Sequence, residues 1–99
     1  MNRLSGKVAV ITGGNAGIGE AIAQAFAREG ASVVITGRRQ GELDRVVSDI
    51  VKAQGKVFSV AGSVTDESHV QETVRRTVEQ FGQLDILVNN AGEIGRAHV

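Results

Sequence analysis

The stretch Thr12-Gly13-Gly14-Asn15-Ala16-Gly17-Ile18-Gly19 constrains this chain more than any other, because of what lies on either side of it. Before it, Lys7 to Thr12 is a compact apolar run rich in β-branched residues, the pattern of a strand buried on both faces as in a parallel sheet. After it, Ile18, Ile22, Ala25 and Phe26 recur at helical spacing, and Gly30 stands where a left-handed C-terminal residue is wanted. A helix is predicted over about Gly17 to Glu29. Glycines at such a junction let the backbone turn sharply and approach a ligand closely, while the free amides and dipole of the helix start favour negative charge. A phosphate is therefore expected near Gly17 to Gly19. A phosphate-loop nucleotidase would follow the last glycine with Lys and then Ser or Thr, whereas here Glu20 follows. A turn that merely packs helix on strand is the alternative, and the number of glycines after a buried strand favours a dinucleotide instead.

The same alternation continues along the chain. Ser32 to Thr36 reads as a second buried strand. Leu43, Val46, Val47, Ile50 and Val51 return to the helical period before Gly55 stops them. Lys56 to Val60 is a third strand. Asp66 is placed to cap a helix whose apolar face is expected to be Val70, Val74, Val78 and Phe81, closed by Gly82. Leu84 to Asn89 is the fourth strand, running into Asn90-Ala91-Gly92. Strands alternating with helices of this length require right-handed crossovers and a parallel sheet with helices on both faces, an α/β architecture in the order βαβαβαβ.

Composition removes several classes of function. Eleven Lys and Arg balance eleven Asp and Glu, so no net field draws the chain to nucleic acid or an anionic membrane. The absence of Cys excludes disulfides, thiol nucleophiles and thiolate metal sites, and fits a cytoplasmic protein. The apolar stretch Val8 to Thr12 is too short for a signal peptide, and no run approaches the roughly 20 residues of a membrane helix. The 99 residues suffice for one small core.

Two motifs in register carry a resemblance. Thr12-Gly-x-x-x-Gly-Ile-Gly at the first turn and Asn89-Asn90-Ala91-Gly92 after the fourth strand are similar to the paired signatures of the short-chain dehydrogenases/reductases, and the similarity runs from Leu4 to Gly92. It implies a Rossmann-type doubly wound parallel sheet, truncated after strand order 3-2-1-4, with residues 1–99 forming the incomplete N-terminal portion of a single dinucleotide-binding domain. In such a sheet the cofactor lies where the strand order reverses, at the carboxyl ends of strands one and four. By resemblance, Gly13, Asn15, Gly17, Ile18 and Gly19 surround the diphosphate, and Asn90, Ala91 and Gly92 flank the adenosine side. Asn89 or Asn90 acting only to tie strands together remains the alternative.

The choice of dinucleotide turns on the end of strand two. An enzyme using NAD usually carries an acidic residue there for the ribose 2′-hydroxyl. This chain reads Thr36-Gly37-Arg38-Arg39, and two guanidinium groups suit a 2′-phosphate. NADP is expected over NAD, against the alternative that Arg38 and Arg39 are solvated charges opening helix two. After strand three the family usually places an Asp and an apolar residue, the Asp touching adenine. Here Ser63-Val64 stands at that position, and Ser63 retains one hydrogen-bonding hydroxyl without the charge.

The resemblance implies hydride transfer between the nicotinamide and a small carbonyl or alcohol, dependent on a Tyr, a Lys four residues on, and a Ser, all beyond a fifth strand. The chain contains no Tyr. No catalytic residue is therefore expected within it. His69 and His98 read as surface residues and too few ligands for a metal site, and Glu42, Asp44, Arg45, Arg75, Arg76 and Glu79 as solvated helix faces. The favoured reading is part of an NADP-dependent oxidoreductase; a noncatalytic dinucleotide-binding or sensor module and a nonfunctional remnant are the alternatives. The open edge of strand four is expected to promote self-association.

Overall fold

The computed structural model describes residues 2–13, 17–63 and 66–90. Seven elements follow in order: β1 (Val8–Thr12), α1 (Gly17–Arg28), β2 (Ser32–Gly37), α2 (Gln40–Lys52), β3 (Lys56–Ala61), α3 (Glu67–Phe81) and β4 (Ile86–Asn89). All strand pairs are parallel and the sheet order is β3-β2-β1-β4, as the resemblance implies.

The continuous apolar runs of β1 and β2 have a direct cause, since these two central strands are buried on both faces. On one face Ile11, Val33 and Ile35 pack under Ala23 of α1 and Leu43, Val46 and Ile50 of α2. On the other, Val10, Val34 and Val60 meet Phe58, Phe81 and Leu84. Leu43 is fully buried in the first layer, so its truncation to Ala is expected to cost about 2–5 kcal/mol. Over the second layer, Phe58 and Phe81 lie with ring centroids 5.6 Å apart, and the Arg76 guanidinium sits 5.6 Å from the Phe58 ring, fastening α3 above β3.

Helix ends follow local chemistry. The Asp66 carboxylate accepts the Ser68 amide at 2.9 Å, and Gly82, left-handed at φ 85°, donates its amide to the Val78 carbonyl at 2.7 Å. At the end of α2 the left-handed residue is Gln54, not Gly55. Gly55 is required for a different reason, because a Cβ there would meet Ile50 Cγ2 at 2.6 Å.

Two expectations are corrected. The valine stripe of α3 does not face the core: Val70, Val74 and Val78 are exposed, while Thr73 and Thr77 are buried against the sheet. Each threonine hydroxyl donates back to a carbonyl of its own helix, Thr73 to His69 at 2.8 Å and Thr77 to Thr73 at 2.7 Å, which leaves the methyl groups to pack inward. Strand four begins at Ile86 rather than Leu84. Leu84 joins the core instead, and the Asp85 side chain supplies the first pairing to β1.

Candidate functional site

The order of the strands reverses at β1, and the carboxyl ends of β1 and β4 meet there. Gly13 and Gly17 take left-handed backbone conformations, φ 68° and 60°, which let the chain leave β1 and enter α1 within a few residues. Gly19 is buried in the first turn of α1. A Cβ on it would run into the Gly13 carbonyl and the Asn90 side-chain amide, so the helix approaches both strands as closely as backbone allows.

Asn90 ties this junction together. Its amide donates to Thr12 Oγ1 at 2.8 Å and its side-chain Nδ2 to the Gly13 carbonyl at 3.4 Å. Thr12 Oγ1 lies within donating distance of the Val88 carbonyl, 3.3 Å, and of Asn89 Oδ1, 3.2 Å. Both asparagines thus link strand ends, and Asn90 also holds the glycine turn. Ile18 projects outward beside it, 72% exposed.

The two arginines after β2 separate. Arg38 turns toward β3, where Nη2 donates to Ser63 Oγ at 3.5 Å. Arg39 occupies the N-cap position of α2 without a side-chain capping bond, and its Nη1 reaches Glu42 of the same helix at 3.5 Å. Arg38 is therefore the arginine that faces the carboxyl end of the sheet together with Ser63. Of the remaining expected site residues, Asn15, Val64, Ala91 and Gly92 lie outside the described residues, as does His98.

His69, expected on the surface, is half-buried. Its ring lies against Gly62, where any side chain would collide with it, and its buried Nε2 has no hydrogen-bond partner among the described residues. Thr36 Oγ1, at the carboxyl end of β2, is likewise buried with no partner among the described residues. The contact with Gly62 joins this histidine to the end of β3, and nothing in the spacing of α3 announces it. Arg45 is also more than a solvated charge, since it grips Glu20 of α1 across the helix pair. Among the described residues no group of three His, Cys, Asp or Glu side chains is placed to hold a metal, and no helix is long and apolar enough to cross a membrane.

A parallel sheet with helices on both faces and a glycine-built turn at its point of strand reversal defines a Rossmann-type α/β protein. Sequence comparison carries this to a family. The model of the short chain dehydrogenase family matches residues 7–99, and the chain belongs to that family of oxidoreductases. General stress protein 39 of Bacillus subtilis is 45% identical over 93 residues, which are 93% of this chain and 32% of that protein. Among solved structures, glucose dehydrogenase of Caenorhabditis elegans in its apo form matches with TM-score 0.87 and 46% identity, over 93% of this chain and 40% of its own. L-Sorbose reductase from Gluconobacter frateurii, complexed with NADPH and L-sorbose, matches with TM-score 0.89 and 40% identity, over 100% of this chain and 38% of its own. The chain thus spans about a third of the length of the curated relatives it matches.

Proposed function

We propose that residues 1–99 are the N-terminal portion of one dinucleotide-binding domain, and that the protein to which they belong is an NADP-dependent oxidoreductase acting on a small carbonyl or alcohol. The observation that carries this reading is the convergence at Gly19, where helix start, glycine turn and Asn90 leave no room for a side chain. A backbone so closely packed, with left-handed glycines on its approach, offers amides to an anion at the positive end of α1. Gly13, Asn15, Gly17, Ile18 and Gly19 would line the diphosphate, Asn90, Ala91 and Gly92 the adenosine side, and Ser63 and Val64 the adenine.

The preference for the 2′-phosphate rests on Arg38. It stands just beyond β2, faces Ser63, and has no carboxylate partner among the described residues. Arg39, one residue on, adds positive charge at the rim. The nicotinamide, when bound, supplies or accepts the hydride. The residues of this chain bind and orient the other end of the cofactor, and no proton-transfer step is assigned to them. Titrating the chain with NADPH and with NADH, followed by the fluorescence of the reduced nicotinamide, tests the assignment. NADPH is expected to bind more tightly, and Arg38→Ala to remove most of the difference. Tighter binding of NADH would overturn the NADP assignment. Among the described residues β4 pairs only with β1, and self-association through its other edge is part of the same reading.

A further inference from the structure

Glu20 is an awkward residue for an anion site. It lies in the first turn of α1, where the helix dipole and free amides would hold the diphosphate. Its carboxyl is held below the ordinary carboxylate range, chiefly by a hydrogen bond from Arg45, so it is ionised at neutral pH. An uncompensated carboxylate there would repel the ligand that the turn attracts.

The compensation comes from α2. Arg45 Nη2 donates to Glu20 Oε1 at 3.0 Å and Nη1 to Oε2 at 3.1 Å, a two-pronged grip across the helix pair. Gln24 Nε2 also donates to Oε2 at 3.1 Å, and Glu20 is only 21% exposed. Asp49 lies 3.8 Å from Arg45 Nη1 and shares part of its charge, yet both prongs of the guanidinium close on Glu20. We infer that Arg45 is a positioning residue for the cofactor: it cancels the charge of Glu20 and holds that carboxylate toward α2, leaving the start of α1 attractive to a diphosphate.

The inference rests on the dinucleotide reading and concerns the diphosphate, so it applies to both nicotinamide cofactors alike. The test is a titration of NADPH and NADH into the chain and into Arg45→Gln, Glu20→Gln and the double variant, each checked for folding by circular dichroism. Arg45→Gln is expected to weaken both cofactors about fivefold, the size of one charge at a helix N-terminus, and to lose less at high salt. Glu20→Gln is expected to bind both at least as tightly as the parent chain. The double variant is expected to return to within about twofold of it, since no charge is left to cancel. An Arg45→Gln variant that binds normally, a Glu20→Gln variant that binds more weakly, or a double variant as weak as Arg45→Gln would overturn the inference; the last would make the pair a tether. A parent chain that binds neither cofactor would overturn the dinucleotide reading itself, a result separate from these.

Discussion

Asp85 and Val8 are joined twice: the Val8 amide donates to the Asp85 carboxylate at 2.8 Å, and the Asp85 amide donates to the Val8 carbonyl at 2.9 Å. A side chain thus opens the β1–β4 ladder one residue before the first strand pair, Ala9 with Ile86. The Val8 amide holds the Asp85 carboxyl below its ordinary range, with a second hydrogen bond from Gln83 adding to it.

The sign of the pH dependence follows. A carboxyl whose pKa is lowered by folding contributes stability that is present above its unfolded pKa and is lost as pH falls through the folded one. Acid should therefore loosen the attachment of β4. Asp85→Asn keeps an oxygen acceptor for Val8 but does not titrate. In thermal melts across the acid range, the parent chain is expected to lose more stability on acidification than Asp85→Asn. Parallel pH profiles for the two would remove the carboxylate from this role.

Gly19→Ala sets two effects against each other. Alanine in a helix is ordinarily favoured over glycine by about 1 kcal/mol. Here its Cβ would press on the Gly13 carbonyl and the Asn90 amide, groups that belong to two different strand ends. Overpacking of this kind costs about 1–3 kcal/mol, so it should win. The expected result is a lower melting temperature together with loss of NADPH binding. An alanine variant at least as stable as the parent would show that the junction can open without cost.

How far the fold could be read from the sequence depended on how local its causes are. Val8 to Thr12 and Ser32 to Thr36 announce themselves because burial on both faces makes a continuous apolar run. Asp66 and Gly82 act on neighbouring amides and carbonyls, so their roles are visible in the sequence. The rotation of α3 was not, because a threonine that bonds to its own helix packs like an apolar residue while a valine stripe beside it stays exposed. The glycine turn of the candidate site was legible for the same local reason as the caps. The separation of Arg38 from Arg39, the Glu20–Arg45 pair and the seat of His69 against Gly62 all depend on residues brought together only by the crossovers.

Thr77 offers a direct check on that rotation. It is fully buried, and its hydroxyl donates to the Thr73 carbonyl, which the helix already engages. Thr77→Val keeps the shape and removes a hydroxyl that has no other partner among the described residues. Because valine and threonine have similar helix propensities, the change is expected to be neutral or stabilising by up to about 1 kcal/mol. Denaturant unfolding measures it. A loss greater than about 1 kcal/mol would mean that the hydroxyl does more than fold back on its own helix.

Val70, Val74 and Val78 form one exposed line along α3, and Leu87 of β4, 61% exposed, stands in register with Val10 on the same face of the sheet. Among the described residues β4 pairs only with β1, so its outer edge presents unpaired backbone in addition to this apolar surface. A second copy of the chain can pair with that edge, and the exposed apolar side chains add to the attraction, so self-association is expected to rise with concentration. Val74→Glu combined with Leu87→Lys places charges on that face at exposed positions, where the change in stability should stay within about 0.5 kcal/mol. Sedimentation velocity over a concentration series should show larger species for the parent chain and a shift toward monomer for the double variant. A parent chain that remains monomeric throughout the series would refute the association, and an unshifted double variant would take this face out of it.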